Sequence, residues 1–230
     1  MSELDYTIKR SARRRSIGLE VRDAQVILRA PPAVPEAELH RLVMRKQRWI
    51  REKVTHQKAL LAALPDYDFD TGCRLPWLGR ELELVLARAD KSGVWQEQGR
   101  LQVRCSRRSR RPLLEQSREL VRDWYKERAL ALLCDKTHDQ AGRLGAVCRQ
   151  VKVRATRTKW GHCTHRGVIQ YNWQILLAPE PVVDYLVAHE VSHLRHANHS
   201  PAFWALVERL CPDYRRQRAW LKDRGRLLVL

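Results

Sequence analysis

Four of the chain's nine histidines, His189, His193, His196 and His199, fall within the stretch VAHEVSHLRHANHSPAFW, Val187 to Trp204. Their spacing constrains the local fold more tightly than any other feature. In H-E-x-x-H (His189, Glu190, His193) the two imidazoles are four residues apart. On a helix they stand on one face, about 6 Å apart along the axis, and can share one ion. Glu190 lies one step round the helix and can hold a water in that ion's open position, the arrangement of zinc hydrolases. Val183, Leu186, Val187, Val191 and Leu194 flank the histidines, so their face is expected to be half-buried, and buried imidazoles need partners.

A catalytic zinc usually takes three protein ligands. His196 shares the helical face but sits seven residues from His189, about 10 Å along the axis. With metal–nitrogen bonds near 2 Å, His189, His193 and His196 cannot converge from a straight helix. The third ligand must come from chain that has turned back. Asn198 tolerates the conformation that ends helices, and Pro201 discourages continuation. The spacing therefore predicts His189, His193 and His199 as ligands. His196 is left as a helix-end cation or a hydrogen-bond donor behind them.

Elsewhere the pattern is mixed. LEVRDAQVILRAP reads as a hairpin turning at Asp23-Ala24, and Glu36 to Ala63 as one amphipathic helix. LPWLGRELELVLARA and GRLQVRCS read as strands. Pro112 opens a helix that ends near Gly142 or Gly145. VKVRA and VIQYNWQILL are strands around a loop at Trp160-Gly161, and the histidine helix runs from about Pro181 to Ala197. Short helices follow near 201–211 and 213–223. The expected class is α+β, with a β-rich region with one long helix over 1–106 and the histidine-bearing part over 107–230.

The formal net charge is +18. A field of that sign attracts polyanions, which adds DNA, RNA or nucleotide phosphate to the candidate partners. Arg100 to Arg111 alone carries six arginines and no acid. No apolar run approaches membrane-spanning length and no signal-peptide core is visible, so no membrane partner and a cytoplasmic location are expected. Six scattered cysteines without C-x-x-C pairing argue against a zinc ribbon, and the inferred compartment argues against disulfides.

The run RTKWGHCTHRGVIQYNWQILLAPEPVVDYLVAHEVSHLRHANHSPAFW, Arg157 to Trp204, resembles the YgjP-like metal-dependent hydrolases, relatives of the SprT-like and WLM-type metallopeptidases. Their signature is an R-x-x-x-W-G-x-C turn, a strand with an Asn, a D-Y-V-x-x-H-E-L-x-H-L helix and N-H-S-x-x-F-W. The likeness extends more loosely to PDYRRQRAWL, to the first hairpin, to LGRELEL and to WYKERA. It implies a zincin-like core, Zn2+ on His189, His193 and His199, and Glu190 as general base. The spacing His-x3-His-x5-His is shared with metzincins, but His196 stands where those carry Gly and no Met-turn motif follows. Two residues depart from the signature: His162 replaces its small Ser, and Lys159 its Arg before the Trp.

Three functions compete. The first is a zinc peptidase acting on a protein or peptide, in a version working near nucleic acid. The second, implied by the resemblance, is a UTP pyrophosphatase using the same site, with Arg157 and Arg195 holding the triphosphate. The third is a nucleic-acid-binding module with structural zinc, disfavoured by Glu190 and by having only three ligands. His162 and Arg157, in the loop before the histidine helix, are candidate substrate-facing groups, and Asn172, at the Asn of the signature strand, is a further one.

Overall fold

Two residues in the left-handed region, Asp23 (φ 52°) and Ala24 (φ 60°), fold the first hairpin back on itself. This is the mirror-image turn that suits the twist of antiparallel strands. The computed structural model describes residues 4–156 and 158–230. It pairs β2 (Gly18–Arg22) with β3 (Gln25–Ala30) across that turn and places β1 (Thr7–Arg10) parallel to β3 on its other side. The helix expected from Glu36 to Ala63 is two helices, α1 (Glu36–Arg45) and α2 (Gln47–Ala62), broken at Lys46. An unbroken helix of that length would run about 40 Å and overshoot a small sheet. The break lets Leu39, Val43 and Ile50 share one core with Val26, Leu28 and Ala30.

The chain divides into two compact units, Met1–Leu64 and Pro65–Leu230. The boundary expected at residue 106 falls instead inside the second unit. Leu75, Leu82, Leu84, Leu101 and Val103 of the sheet before it share one core with Val121, Trp124 and Tyr125 after it. That sheet comprises β4 (Arg74–Trp77), β5 (Arg80–Ala89), β6 (Gly93–Glu97) and β7 (Arg100–Ser106), in the order β4-β5-β7-β6. β5 and β7 are parallel, and the two outer pairs are antiparallel.

The long helix α3 (Leu113–Arg143) serves two sheets with one buried stripe that includes Ser117, Val121, Tyr125, Leu133, Thr137 and Ala141. Toward its start, the Ser117 hydroxyl donates to the Phe69 carbonyl at 2.8 Å and the Tyr125 hydroxyl to that of Pro76 at 2.7 Å. Toward its end, the Thr137 hydroxyl meets the Tyr171 hydroxyl at 2.9 Å. Tyr171 belongs to the second sheet of this unit, formed by β8 (Gln150–Arg154), β9 (Gly161–Cys163) and β10 (Val168–Asn172) in the order β8-β10-β9. β8 runs parallel and β9 antiparallel to β10, which leaves β9 at the edge. The strand expected over VIQYNWQILL stops at Asn172, whose side chain caps a 3-10 helix over Trp173–Leu177.

Three helices complete the α+β unit: α4 (Glu180–Ser192), α5 (Pro201–Leu210) and α6 (Tyr214–Arg224). The start of α4 is held from two directions. The Leu78 N–H, in the β4–β5 turn, donates to the Leu176 carbonyl at 2.8 Å. A Cβ on the neighbouring Gly79 (φ +84°) would lie 3.3 Å from Pro179 Cα. From α3, Lys136 pairs with Glu180 at 2.8 Å and Asp184 at 2.7 Å. Among the described residues, no helix is long and apolar enough to cross a membrane.

Candidate metal centre

α4 ends before the expected Ala197. Its last residue is Ser192, and His193 follows as C-cap, still in the helical region (φ −67°, ψ −17°). The Leu194 and Arg195 N–H groups then reach carbonyls three residues back, at 3.0 and 3.1 Å. His189 and His193 keep their one-turn relation, but the reversal begins at Leu194 rather than at Asn198. It closes at Ser200, whose hydroxyl accepts the Phe203 N–H at 3.3 Å and caps α5. Phe203, fully buried, backs all three predicted ligands, with ring centroids 5.0 Å from His189, 4.5 Å from His193 and 4.8 Å from His199.

One ring nitrogen each of His189, His193 and His199 lies within 4.8 Å of the others. His189 Nε2 and His199 Nε2 are 3.2 Å apart. Two ligands of a tetrahedral ion with bonds of 2.0–2.1 Å are separated by about 3.3 Å, so this pair already has ligand spacing. His193 Nδ1 lies 3.0 Å from the His196 carbonyl. A carbonyl can only accept, so the proton sits on Nδ1 and the Nε2 lone pair is left for the cluster. His196 therefore acts through its backbone rather than as a side-chain donor.

Burial, reinforced by the charges of His193, His199 and Arg218, pushes His189 down to about 3. Burial also lowers His193. Neutral imidazole is the form that ligates a metal, so the donor set fits a divalent ion of the zinc type. His189 Nδ1 is buried without a partner among the described residues. None of the six cysteines forms a disulfide, and none joins the cluster.

Glu190, 4% exposed, lies against β9. A Cβ at Gly161 would stand 2.3 Å from Glu190 Oε1 and 2.6 Å from Cγ. Since Cγ as well as the carboxylate is in the way, the whole side chain would have to swing aside. The Cys163 backbone N–H donates to the carboxylate, and the charge of Lys159 also favours its ionised form. Burial outweighs both and pushes the carboxyl up to about 8. Neither Gly161 nor the Cys163 N–H was expected as part of the site. Their only sequence signal was the W-G-x-C turn.

The remaining candidates are placed differently from one another. Asn172 is buried and committed to the backbone: its amide donates to the Thr156 carbonyl at 3.0 Å, and its oxygen accepts the Gln174 N–H at 3.1 Å. Arg195 donates to the Leu144 carbonyl at 2.8 Å and also to that of Gly145, covering the end of α3 instead of facing the cluster. His162 is exposed on β9, and its charge bears on His193. Arg157 lies outside the described residues.

A family model described as YgjP-like, metallopeptidase domain, matches residues 15–224. The chain belongs to the YgjP-like metallopeptidase-domain family. Its members are metal-dependent hydrolases of the peptidase type, and the three histidines of this YgjP-like chain are able to hold the metal. Among solved structures, the metallopeptidase zymogen of Pyrococcus abyssi abylysin matches at 21% identity, covering 40% of this chain and 93% of that one, with a TM-score of 0.36. No curated protein matches.

The geometry separates the two spare-looking histidines. His199→Ala should weaken metal binding by about a hundredfold or more, while His196→Ala, which keeps the carbonyl, should change it by no more than about threefold. Competition with a chelator of known affinity measures both. Gly161→Ala should lower the unfolding free energy by about 1–3 kcal/mol through overpacking and leave metal binding unchanged. Urea unfolding and metal analysis check this, and an undisturbed stability would contradict the close contact.

Proposed function

We propose that this YgjP-like protein is a zinc-dependent peptidase in which His189, His193 and His199 hold the ion and Glu190 is the general base. Zinc in such a site supplies Lewis acidity toward a scissile carbonyl and a water. Glu190 takes the proton of the attacking water and returns it to the leaving amine. A carboxyl whose proton affinity is raised by burial is a stronger base than an exposed one. The contact with Gly161 and the Cys163 N–H keeps it from turning away.

The observation that carries this reading is the convergence of His189, His193 and His199, with the buried Glu190 carboxyl following the first of them on the same helix. Three protein ligands rather than four among the described residues leave a coordination position free, as catalytic zinc requires and structural zinc does not. β9 supports a peptide as substrate, because an edge strand is the kind of surface to which an extended chain adds. The net charge of +18 and the arginine-rich segment from Arg100 to Arg111 support action near nucleic acid.

Zinc-loaded protein and its Glu190→Gln variant should be compared on an unstructured protein, with and without DNA, and on UTP. Protein cleavage is expected to fall about 10²–10⁴-fold in Glu190→Gln with zinc content unchanged. Stimulation by DNA should fade steeply as salt rises. Glu190-dependent pyrophosphate release from UTP without proteolysis would mean that the site performs phosphate chemistry. Tight zinc with no turnover of either substrate would make the metal structural.

A further inference from the structure

α6 brings Arg218 close to the metal centre, where nothing described so far uses it. Its guanidinium carbon lies 4.6 Å from the centroid of Trp204. Trp204 lies 5.8 Å from both His189 and His199 and is stacked on His199 at an interplanar angle of 25°. Tyr214 stacks on Trp204 in turn, at 5.3 Å and 19°. Arg218 thus rests on an aromatic shelf that begins at a predicted metal ligand. Its charge acts on His189 and on Tyr185, both on α4.

Several other arginines have partners. Arg215, on the same helix, donates to the Tyr214 hydroxyl oxygen at 3.2 Å and pairs with Glu208 at 3.7 Å. Arg195 bonds the end of α3, and Arg122 donates to the Leu230 carbonyl at 2.7 Å. Arg218 is exposed and has neither a hydrogen bond nor an ion pair among the described residues. A guanidinium over an aromatic ring is held in place while its N–H groups remain available. Its planar fork matches the two oxygens of a carboxylate, or two oxygens of a phosphate.

We propose that Arg218 is the anion-recognising residue of this metal site and receives the carboxylate of an acidic side chain of the peptide substrate. The Arg218–Trp204 and Trp204–His189 separations, at 3.3–3.6 Å per extended residue, put that carboxylate within roughly three residues of the scissile bond. The inference rests on the peptidase reading. It deepens that reading by giving the substrate an acidic group at a defined reach.

Calorimetric titration of zinc-loaded protein in the Glu190→Gln background, where peptides survive, tests it. The probes are two peptides of equal length that differ only in carrying glutamate or glutamine, with inorganic pyrophosphate as a third probe. The glutamate peptide should bind about tenfold tighter or more. Arg218→Gln should erase the preference, Arg218→Lys should restore part of it, and Arg215→Gln should leave it intact. The proposal is overturned if no preference exists, if it survives Arg218→Gln, or if Arg215→Gln reduces it equally, which would mean general surface charge. Arg218-dependent binding of pyrophosphate alone would reassign the residue to phosphate. Wild-type cleavage of peptides that ignores both glutamate and Arg218 would defeat this inference and spare the peptidase reading. Arg218-dependent glutamate binding with no peptide cleaved would do the reverse.

Discussion

The β9 backbone at Gly161 and the side chain of Glu190 lie so close that there is no room for a Cβ between them. Burying a carboxyl in this way is unfavourable for its charged form. One backbone N–H, from Cys163, and the charge of Lys159 offset part of the cost. The contact ties an edge strand to the histidine helix at the residue we propose as general base. Any looseness between the two elements would let Glu190 relax into solvent, where it would be an ordinary weak base.

Much of the surrounding packing opposes that looseness. Asn172 ends β10, caps the following 3-10 helix and ties down the Thr156 carbonyl, so that the loop leading to Trp160 has a fixed course. Trp160 then packs on Gly225, where a Cβ would stand 3.0 Å from its Nε1. The buried Thr137–Tyr171 hydrogen bond holds the sheet to α3, and Lys136 holds α4 to the same helix. Behind the imidazoles, Phe203 touches all three rings. Rings packed from behind lose little freedom on gathering around an ion, which is the kind of support a precise site needs.

Features of short range were legible in the sequence. The one-turn spacing of His189 and His193, the need for a reversal before His199 and the turn at Asp23-Ala24 are set by residues within a few positions of one another. Features of long range were not. The break at Lys46 follows from the size of the sheet beneath the helix, which no local pattern reveals. The division after Leu64 follows from the first helix-sheet unit having a core of its own, while β4–β7 joins α3. Asn172 and Arg195 looked like polar groups for a substrate because their carbonyl and N–H partners could not be seen. Gly161 is small because of Glu190, nearly thirty residues later, and Arg218 matters only through an aromatic stack assembled from α5 and α6. His196 was left out of the ligand set on axial distance alone, and its backbone role depends on the tightening of the chain after Ser192.

X-ray absorption at the zinc edge of the loaded protein is the most direct test of the central claim, because it reads the ligand set itself. Three imidazole nitrogens at 2.0–2.1 Å with one further light-atom ligand from solvent are expected. A sulfur contribution near 2.3 Å, or four protein ligands with no exchangeable one, would contradict an open three-histidine site and with it the catalytic role of Glu190.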